Sequence, residues 1–416
     1  MVRRDSRSRV RRALLVGLAT LLLAACGGGA SSGGGATMSW FMWSGSPTEV
    51  QAWKHVAALV TQKYPDIHVN FVTASFPDYW TKLQTEAASG SMPCIVSLQS
   101  LRTAGFAGDY KSLNQYIRND HFDTGAFDTS IMQGLTFKGQ QLALPYDFGP
   151  GMIFYNQDMF QRDGVPIPQM GWTADEFFKD ARALTHGKQY GMSLNPGSGG
   201  WLPFALSNGA NYLTSDGKLD FANNPALARA FQTYVVDLTR KDHASPQWPS
   251  TSDPLYATEQ WQAGNAAMLV DGPWDIINFK GQVKFKLGIA PVPTGSKGSI
   301  TTSAGSGFGI SRDCKTPDQA WKAIQVLTGP DAEKYLATQG RAFAARKADQ
   351  QYWYQTAGSS FRGPLEAALK NAVPFKTTTN WNQADNLMLR YGVAAMNGQM
   401  SGAEALQQVQ SQAGQG

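Results

Sequence analysis

The chain has 416 residues, of which 42% are hydrophobic and 16% are charged, and its formal net charge is +5. The first 25 residues contain six arginines and one aspartate, so the remainder carries 30 basic and 30 acidic residues. A neutral chain of this kind, without a run of Lys and Arg, lacks the electrostatic surface of a nucleic-acid-binding protein. The length that remains beyond residue 37 exceeds one ordinary core and predicts two domains.

The amino-terminal segment has the pattern of an export signal. The run from Ala13 to Ala25 is apolar and uncharged, and it is too short for a membrane span, which needs about 20 residues. The four residues Leu-Ala-Ala-Cys that end at Cys26 resemble the bacterial lipobox, in which the cysteine is acylated after the preceding peptide is removed. We therefore expect a lipoprotein signal peptide at 1–25, a lipid on Cys26 and a Gly/Ser tether at 26–37. The alternative is an unmodified cysteine behind an ordinary signal.

The mature body opens with alternating strand and helix patterns. Ser46 and Glu49 have the spacing of a capping box, and Pro47 lies at the first position of a helix that ends before Pro65. The short connections predict a parallel, doubly wound sheet. Its expected strands are 38–43, 67–71 and 94–98, alternating with helices at 47–64 and 76–88.

The middle of the chain contains a second set of elements. A hairpin is expected at 137–144, a strand at 152–155 and a helix at 173–184, which has acidic residues in its first turn. Residues 191–200 are rich in Gly, Ser, Asn and Pro, a composition typical of a loop, and Trp201 lies at its edge.

The sequence contains none of the common catalytic signatures. Beyond the Gly/Ser tether, it has no His-Glu-x-x-His, no Gly-x-Ser-x-Gly, no phosphate-binding Gly-x-x-x-x-Gly-Lys and no Cys or His pair with metal-ligand spacing. These absences favour a protein without cofactor or metal, one that is not an enzyme and binds no nucleotide.

Five segments, in order, resemble family 1 extracellular solute-binding proteins, the sugar-binding lipoproteins of ABC importers related to maltose-binding protein. The segment 261–268 resembles the family's Gly-x-Ala-Ala-Met motif and is followed by Gly-Pro-Trp. Two positions depart from the family pattern, because Cys94 replaces an aspartate and Ala344 a proline. The five segments are 88–96, 142–173, 261–274, 305–321 and 346–347.

The resemblance implies an α/β fold of the periplasmic-binding-protein type (type II), with two lobes and a hinged interlobe cleft. Carried onto this chain, lobe one spans 38–146 and 302–345, and lobe two spans 147–301 and 346–416. The implied partners are a carbohydrate, the permease subunits of an ABC transporter and a separate ATPase. The implied protein is a monomer held by lipid at the outer face of the cytoplasmic membrane.

Candidate ligand contacts follow from the strand ends and from aromatic residues. In an open α/β sheet, ligands bind beyond the carboxyl ends of the strands, where this chain has Trp43, Ser44 and Gln99. Tryptophan rings stack on the C–H faces of sugars, although core packing is the alternative for each one. The expected contacts are Trp43, Ser44, Tyr79, Trp80, Gln99, Tyr146, Asp147, Trp201, Asp271, Gly272, Trp274, Gly305, Ser306, Arg341 and Trp381.

For four of these positions we expect a specific role in ligand binding. Asp147, beside Tyr146 at an expected interlobe crossing, would accept sugar hydroxyls, with a structural salt bridge as the alternative. Asp271 would do the same from the far lobe or would only initiate a turn. Arg341 would favour a phosphate or carboxylate on the ligand, unless it is a solvated surface residue. Ser306 would offer a hydroxyl beside the flexible Gly305.

The topology implied by the resemblance also bears on the cysteines. Cys94 begins a strand and Cys314 follows one, and if these strands are antiparallel neighbours both thiols lie at the end far from the ligand. We therefore expect a disulfide in an oxidising compartment.

The class of ligand stays open between a mono- to oligosaccharide and a glycerophosphodiester or sugar phosphate. A secreted glycosidase that uses Asp147 and Asp271 as its carboxylate pair is a rival function. A structural lipoprotein without any small ligand is a third.

Overall fold

The computed structural model describes residues 35–414. The expected signal peptide, the lipidated Cys26 and residues 26–34 of the tether lie outside this range, as do residues 415 and 416. None of the described helices is both long and apolar enough to cross a membrane.

The described chain contains twelve strands and seventeen α-helical segments, α8 and α9 being joined by a π-helical turn at Gln232–Asp237. The strands are β1 Ala36–Trp43, β2 Ile67–Ala74, β3 Ile95–Gln99, β4 Thr136–Phe137, β5 Gln140–Gln141, β6 Leu144–Pro150, β7 Met152–Asn156, β8 Tyr190–Ser193, β9 Ala266–Asp271, β10 Leu287–Ala290, β11 Thr301–Ile310 and β12 Ala372–Pro374.

The helices cover both sheets and include several short turns. They are α1 Pro47–Lys63, α2 Phe76–Ser89, α3 Asn114–Asn119, α4 Thr129–Gly134, α5 Gln157–Arg162, α6 Ala174–Ala183, α7 Ser198–Ser207, α8 Pro225–Phe231, α9 Leu238–Arg240, α10 Tyr256–Gln262, α11 Ile276–Gln282, α12 Pro317–Leu327, α13 Pro330–Thr338, α14 Gln350–Ala357, α15 Arg362–Lys370, α16 Trp381–Met396 and α17 Gly402–Ala413.

A six-stranded sheet forms the first lobe. Its order is β12-β11-β3-β1-β2, and β6 also pairs with the long strand β11. Strand β1 is parallel to both β2 and β3, so the β-α-β-α-β pattern at the start of the chain is confirmed as a parallel unit. The ring of Trp40 lies in its core, with edge contacts to Trp53, Phe71 and Phe308.

A four-stranded sheet with the order β10-β7-β9-β8 forms the second lobe. Its core includes Phe154, Trp261 and Phe279, whose rings pack edge to face. The hairpin expected at 137–144 is the small two-stranded sheet of β4 and β5. The two-lobed α/β fold expected from the sequence is therefore confirmed.

The chain passes between the sheets at two adjacent points. Strand β6 leads into β7 through Gly151, and β10 leads back to β11 at Thr301. The two crossings are joined because the Thr301 hydroxyl donates to the carbonyl of Gly151 at 2.8 Å. The first crossing lies at Gly151, four residues beyond Asp147. The crossing that the sequence analysis expected beside Tyr146 and Asp147 is therefore too early in the chain. The reason is that β6 continues to Pro150 by pairing with β11.

The helices expected at 47–64, 76–88 and 173–184 are present as α1, α2 and α6. The Ser46 side chain caps α1 by accepting from the Glu49 amide, but the expected capping box is incomplete, because the Glu49 carboxylate accepts from Gly45 and Arg341 instead. The loop expected at 191–200 is confined to 194–197, because the residues on either side belong to β8 and α7. Strand β1 begins at Ala36, within the expected tether, and β12 lies in the first sheet although 346–416 was assigned to lobe two.

The disulfide is present between Cys94 and Cys314. It lies where expected, since β3 and β11 are antiparallel and Ile95 pairs with Ile310 at the ends of the two strands beside the cysteines. This is the opposite end of β3 from Gln99.

Candidate functional site

The carboxyl ends of the parallel strands bring polar groups together in the first lobe. The hydroxyl of Ser44, just after β1, and that of Thr73, near the end of β2, lie 2.7 Å apart. Ser44 and Gln99, at the end of β3, are both partly exposed. Parallel strands place these groups at one edge of the sheet, where ligands of such folds bind.

The aromatic residues expected beside this edge form a buried cluster. The ring of Trp43 lies 5.1 Å from that of Tyr79 and 5.4 Å from that of Trp80. The Tyr79 hydroxyl donates to the carbonyl of Ser97 at 2.7 Å, and burial raises the pKa of this phenol well above its ordinary value. All three rings are buried, so they support the site from beneath rather than line an open pocket.

Arg102, which sequence reasoning missed, covers this cluster. Its guanidinium lies 4.3 Å from the centre of the Trp80 ring, and it donates to the side chains of Asn382, at 3.0 Å, and Gln99. Burial lowers the pKa of Arg102 to about 10, and the nearby Asp385 opposes that shift. The sequence feature that could have identified Arg102 is its position three residues beyond β3, at the carboxyl edge of the sheet.

Asp385 connects Arg102 to the second lobe. Its carboxylate lies 3.9 Å from the Arg102 guanidinium and accepts from the backbone amide and the hydroxyl of Ser198, at 3.0 and 2.5 Å. Because Ser198 begins α7, the acid also caps that helix. The two lobes are therefore in direct polar contact.

A second polar network lies deeper and is centred on Arg341. Its guanidinium donates to Glu49, to Asp147 at 3.0 Å and to the hydroxyl of Tyr146 at 3.1 Å. Arg341 and Asp147 are each 3% exposed. Burial raises the pKa of Asp147 to about 6, although Arg341 opposes that shift.

This network corrects two expectations. Arg341 is not a solvated surface residue, and its charge is already matched by two carboxylates, which removes the reason to expect an anionic ligand. Asp147 forms the structural salt bridge that was the alternative to sugar binding, and its other oxygen accepts from the Ser306 amide at 2.8 Å.

Gly305 and Ser306 serve the packing of β11 against β6. A methyl group at Gly305 would lie 2.3 Å from the carbonyl oxygen of Asp147, so only glycine permits this strand contact. Ser306 is 5% exposed. The flexible strand entry expected here is instead a paired strand.

Trp274 differs from every other tryptophan. All twelve lie within the described residues, eleven are buried, and Trp274 is partly exposed. Its ring lies on Gly272, where an added methyl group would come within 2.2 Å of the indole. Among the tryptophans, Trp274 is therefore the one best placed to stack on a ligand.

Two carboxylates flank this ring, namely Asp271 at the end of β9 and Asp275 before α11, and both are partly exposed. Burial, reinforced by the charge of Asp275, raises the pKa of Asp271 well above its ordinary value. Burial also raises the pKa of Asp275, with a further contribution from Glu49. Asp271 also takes part in a turn, which was the alternative to ligand contact, because its carboxylate accepts from the Gly272 amide at 2.7 Å.

Trp201 and Trp381 lie inside the second lobe. Trp201 is fully buried against Phe231, and its indole nitrogen lies 3.2 Å from the sulfur of Met388. Trp381 is 2% exposed and packs between Tyr212 and Phe375. In this conformation neither ring offers a face to a ligand, so their expected ligand contacts stay predictions.

The described residues contain no group of three or more His, Cys, Asp or Glu side chains arranged to hold a metal ion. A groove of about 270 Å³ lies between the lobes beside α2 and α16, lined in part by Gln84, Phe106 and Asn382. Together, the strand ends, Trp274 and the two polar networks surround the junction of the lobes.

The profile of the family described as bacterial extracellular solute-binding protein matches residues 44–334. The chain belongs to this family. The match includes Ser44, Gln99, Asp147 and the segment around Trp274, whereas Arg341 and Asp385 lie beyond it.

Curated relatives include two sugar-binding proteins. The lactose-binding protein of Rhizobium radiobacter is 27% identical over 246 residues, which cover 56% of each chain, so the match spans just over half of that protein. The maltodextrin-binding protein of Bacillus subtilis is 23% identical, with 70% of each chain covered.

Solved structures share the fold. An ABC substrate-binding protein from Listeria monocytogenes, in complex with cycloalternan, superposes with a TM-score of 0.83 at 22% identity, covering 91% of this chain and 97% of the other. A maltose-bound protein of T. maritima superposes with a TM-score of 0.76 at 23% identity, covering 91% and 98%.

Proposed function

We propose that this protein captures a carbohydrate between its two lobes and delivers it to the permease of an ABC importer. The observation that carries the proposal is Trp274, the one tryptophan that is not buried, at the junction of the lobes and beside two carboxylates. An accessible aromatic ring with a few directed polar groups is what a carbohydrate site requires, and Trp274 is partly exposed. The lactose- and maltodextrin-binding relatives support the same class of ligand.

The proposed mechanism is closure of two lobes on the ligand. The proposed division assigns 38–146 and 302–345 to lobe one and 147–301 and 346–416 to lobe two, except that residues 147–150 and 372–374 pair in the sheet of lobe one. A ligand favours closure only by its differential affinity for the closed state, so groups of both lobes must contact it. Gln99 and Ser44 would act from the first lobe and Trp274 from the second.

The proposed setting is the outer face of the cytoplasmic membrane. Removal of residues 1–25 and acylation of Cys26 would hold the protein there by a lipid and the tether. We propose that it acts there as a monomer and that a separate ATPase powers import. Mass spectrometry of the native protein tests the anchor, since a diacylglycerol on an amino-terminal Cys26 is the expected species.

We propose that the protein binds its ligand without catalysis. Asp147 is held by Arg341 and is almost fully buried, so the carboxylate pair considered for a glycosidase has no free member on that side. Incubation with glycosides followed by product analysis should show no hydrolysis. The chain's family membership supports binding rather than turnover.

The test is a thermal-shift and calorimetric screen against mono-, di- and oligosaccharides, sugar phosphates and glycerophosphodiesters. A ligand at about 100 times its dissociation constant adds roughly 2.7 kcal/mol of stability. Trp274→Leu should weaken sugar binding at least tenfold. The matched control is Tyr352→Leu, a partly exposed ring on α14, which should bind normally. Failure of every sugar to bind would overturn the proposal.

A further inference from the structure

One ion pair joins the two lobes directly. The Arg102 guanidinium, just beyond β3 in the first lobe, lies 3.9 Å from the carboxylate of Asp385 on α16 in the second. The same guanidinium donates to the amide oxygen of Asn382, one turn earlier on α16, at 3.0 Å. Side chains of the protein itself make both contacts across the junction, so these contacts favour closed lobes whether or not a ligand is bound.

Each partner of this pair is held in place by its own lobe. Arg102 donates to the side chain of Gln99 and lies 4.3 Å from the centre of the Trp80 ring, and both of these residues belong to the first lobe. Asp385 accepts from the backbone amide and the hydroxyl of Ser198 in the second lobe, at 3.0 and 2.5 Å. Because each charged group is already oriented, pairing them costs little conformational entropy.

The surface around the ion pair is incompletely packed. Two gaps, of about 270 and 400 Å³, adjoin it, and both are lined by Gln84 on α2 and Asn382 on α16. Protein cores are close-packed, whereas contacts between domains that move are smaller and more polar. This part of the junction is therefore a surface that can open, unlike the crossings at Gly151 and Thr301, where the main chain joins the lobes.

The ion pair matters more to the arginine than to the acid. The side chain of Arg102 is 8% exposed and that of Asp385 is 24% exposed, and Asp385 is the one acid of the described chain within ion-pair distance of Arg102. Burial lowers the pKa of Arg102 to about 10, and the charge of Asp385 opposes that shift. A buried cation without a counter-charge is costly, and opening of the lobes would return it to water. Loss of the Asp385 charge should therefore favour opening rather than unfolding.

We propose that Asp385 is a positioning residue that latches the lobes, because through Arg102 it stabilises the closed form without ligand and slows the release of bound ligand. A closed form that is already populated requires less differential affinity from the ligand to complete closure. The latch itself does not depend on which ligand is bound. Its effect on release rests on the proposed function.

The experiment measures the interlobe distance in the ligand-free mature lipoprotein by double electron–electron resonance. Spin labels are placed on Thr85→Cys in α2 and Gln407→Cys in α17, which are exposed positions on the two lobes. We expect a short distance to predominate in this labelled parent. Asp385→Asn should lower the ratio of short to long distances at least about tenfold, which is equivalent to about 1.4 kcal/mol.

Two controls separate the latch from a loss of folding. Asparagine at position 385 can still cap α7, and circular dichroism checks that the variant is folded. Asp216→Asn removes an exposed acid that pairs with Lys218 at 3.2 Å within one loop, so it should leave the distances unchanged. In an Arg102→Met background, Asp385→Asn should have little further effect, because no buried cation remains to be neutralised.

Each outcome bears on one of the two proposals. A parent with only the long distance, an Asp385→Asn variant that keeps the short one, or an equal shift in the Asp216→Asn control would overturn the latch. Any sugar that binds in the screen should dissociate about tenfold faster from Asp385→Asn in stopped-flow measurements, and an unchanged rate would overturn the effect on release. If no sugar binds, the carbohydrate proposal fails, and the distances still decide whether the latch exists.

Discussion

The guanidinium of Arg341 and the carboxylate of Asp147 lie 3.0 Å apart in the interior, although 194 positions separate them in the chain. With Glu49, they join α1, β6 and the segment after α13 into one network beneath the lobe junction. The arginine therefore holds together elements from three parts of the sequence.

Arg341→Met should strongly destabilise the protein. The substitution keeps much of the side-chain volume but leaves two buried carboxylates without their cation, which costs about 3–5 kcal/mol. The control is Arg362→Met, whose pair with Glu366 is half exposed and is worth under about 1 kcal/mol. Urea unfolding measures both, and equal losses in the two variants would contradict the structural role of Arg341.

Asp271→Asn should stabilise the ligand-free protein more at pH 8 than at pH 5. Burial and the charge of Asp275 raise the pKa of Asp271, so the folded state binds a proton that the unfolded state has lost. The stability associated with this proton is present at low pH and is lost as pH rises through the folded pKa. Asparagine is neutral throughout. Urea midpoints of both proteins at the two pH values test this, and a gain that does not depend on pH would refute it.

Gly272→Ala should lower ligand affinity. The added methyl group would lie 2.2 Å from the ring of Trp274, so the indole must leave its position and its stacking face moves. Gly281→Ala is the matched control, because its site on α11 has open space and alanine there favours the helix by up to about 1 kcal/mol. Calorimetry with the best ligand should show a loss of at least tenfold in the first variant and none in the second.

Removal of the disulfide should cost stability without loss of the ligand site. The bond between Cys94 and Cys314 closes 220 residues of sequence, and a disulfide of this kind contributes about 2–5 kcal/mol. The double variant Cys94→Ser, Cys314→Ser should unfold at lower urea concentration and bind ligand normally. Ellman's reagent should find no free thiol from these cysteines in unfolded, unreduced protein, and two titrating thiols would disprove the bond.

The sequence by itself determined the local structure and the fold. Helix α1 begins at Ser46 and Pro47 because a cap and a fixed φ act within one turn, and β1–β3 follow from short apolar runs between breakers. These signals involve neighbours in the chain. The two-lobed fold could be predicted because the motifs that resemble the family occur in order along the chain.

Only the tertiary structure decided which side chains are free to meet a ligand. Trp201, Trp274 and Trp381 look alike in sequence, yet neighbours that are distant in the chain bury the first and the last. The same holds for Arg341, whose partner Glu49 is 292 positions away. Burial and charge pairing depend on contacts between segments that are distant in the chain. The periodicity or spacing of residues within one segment therefore does not predict these contacts.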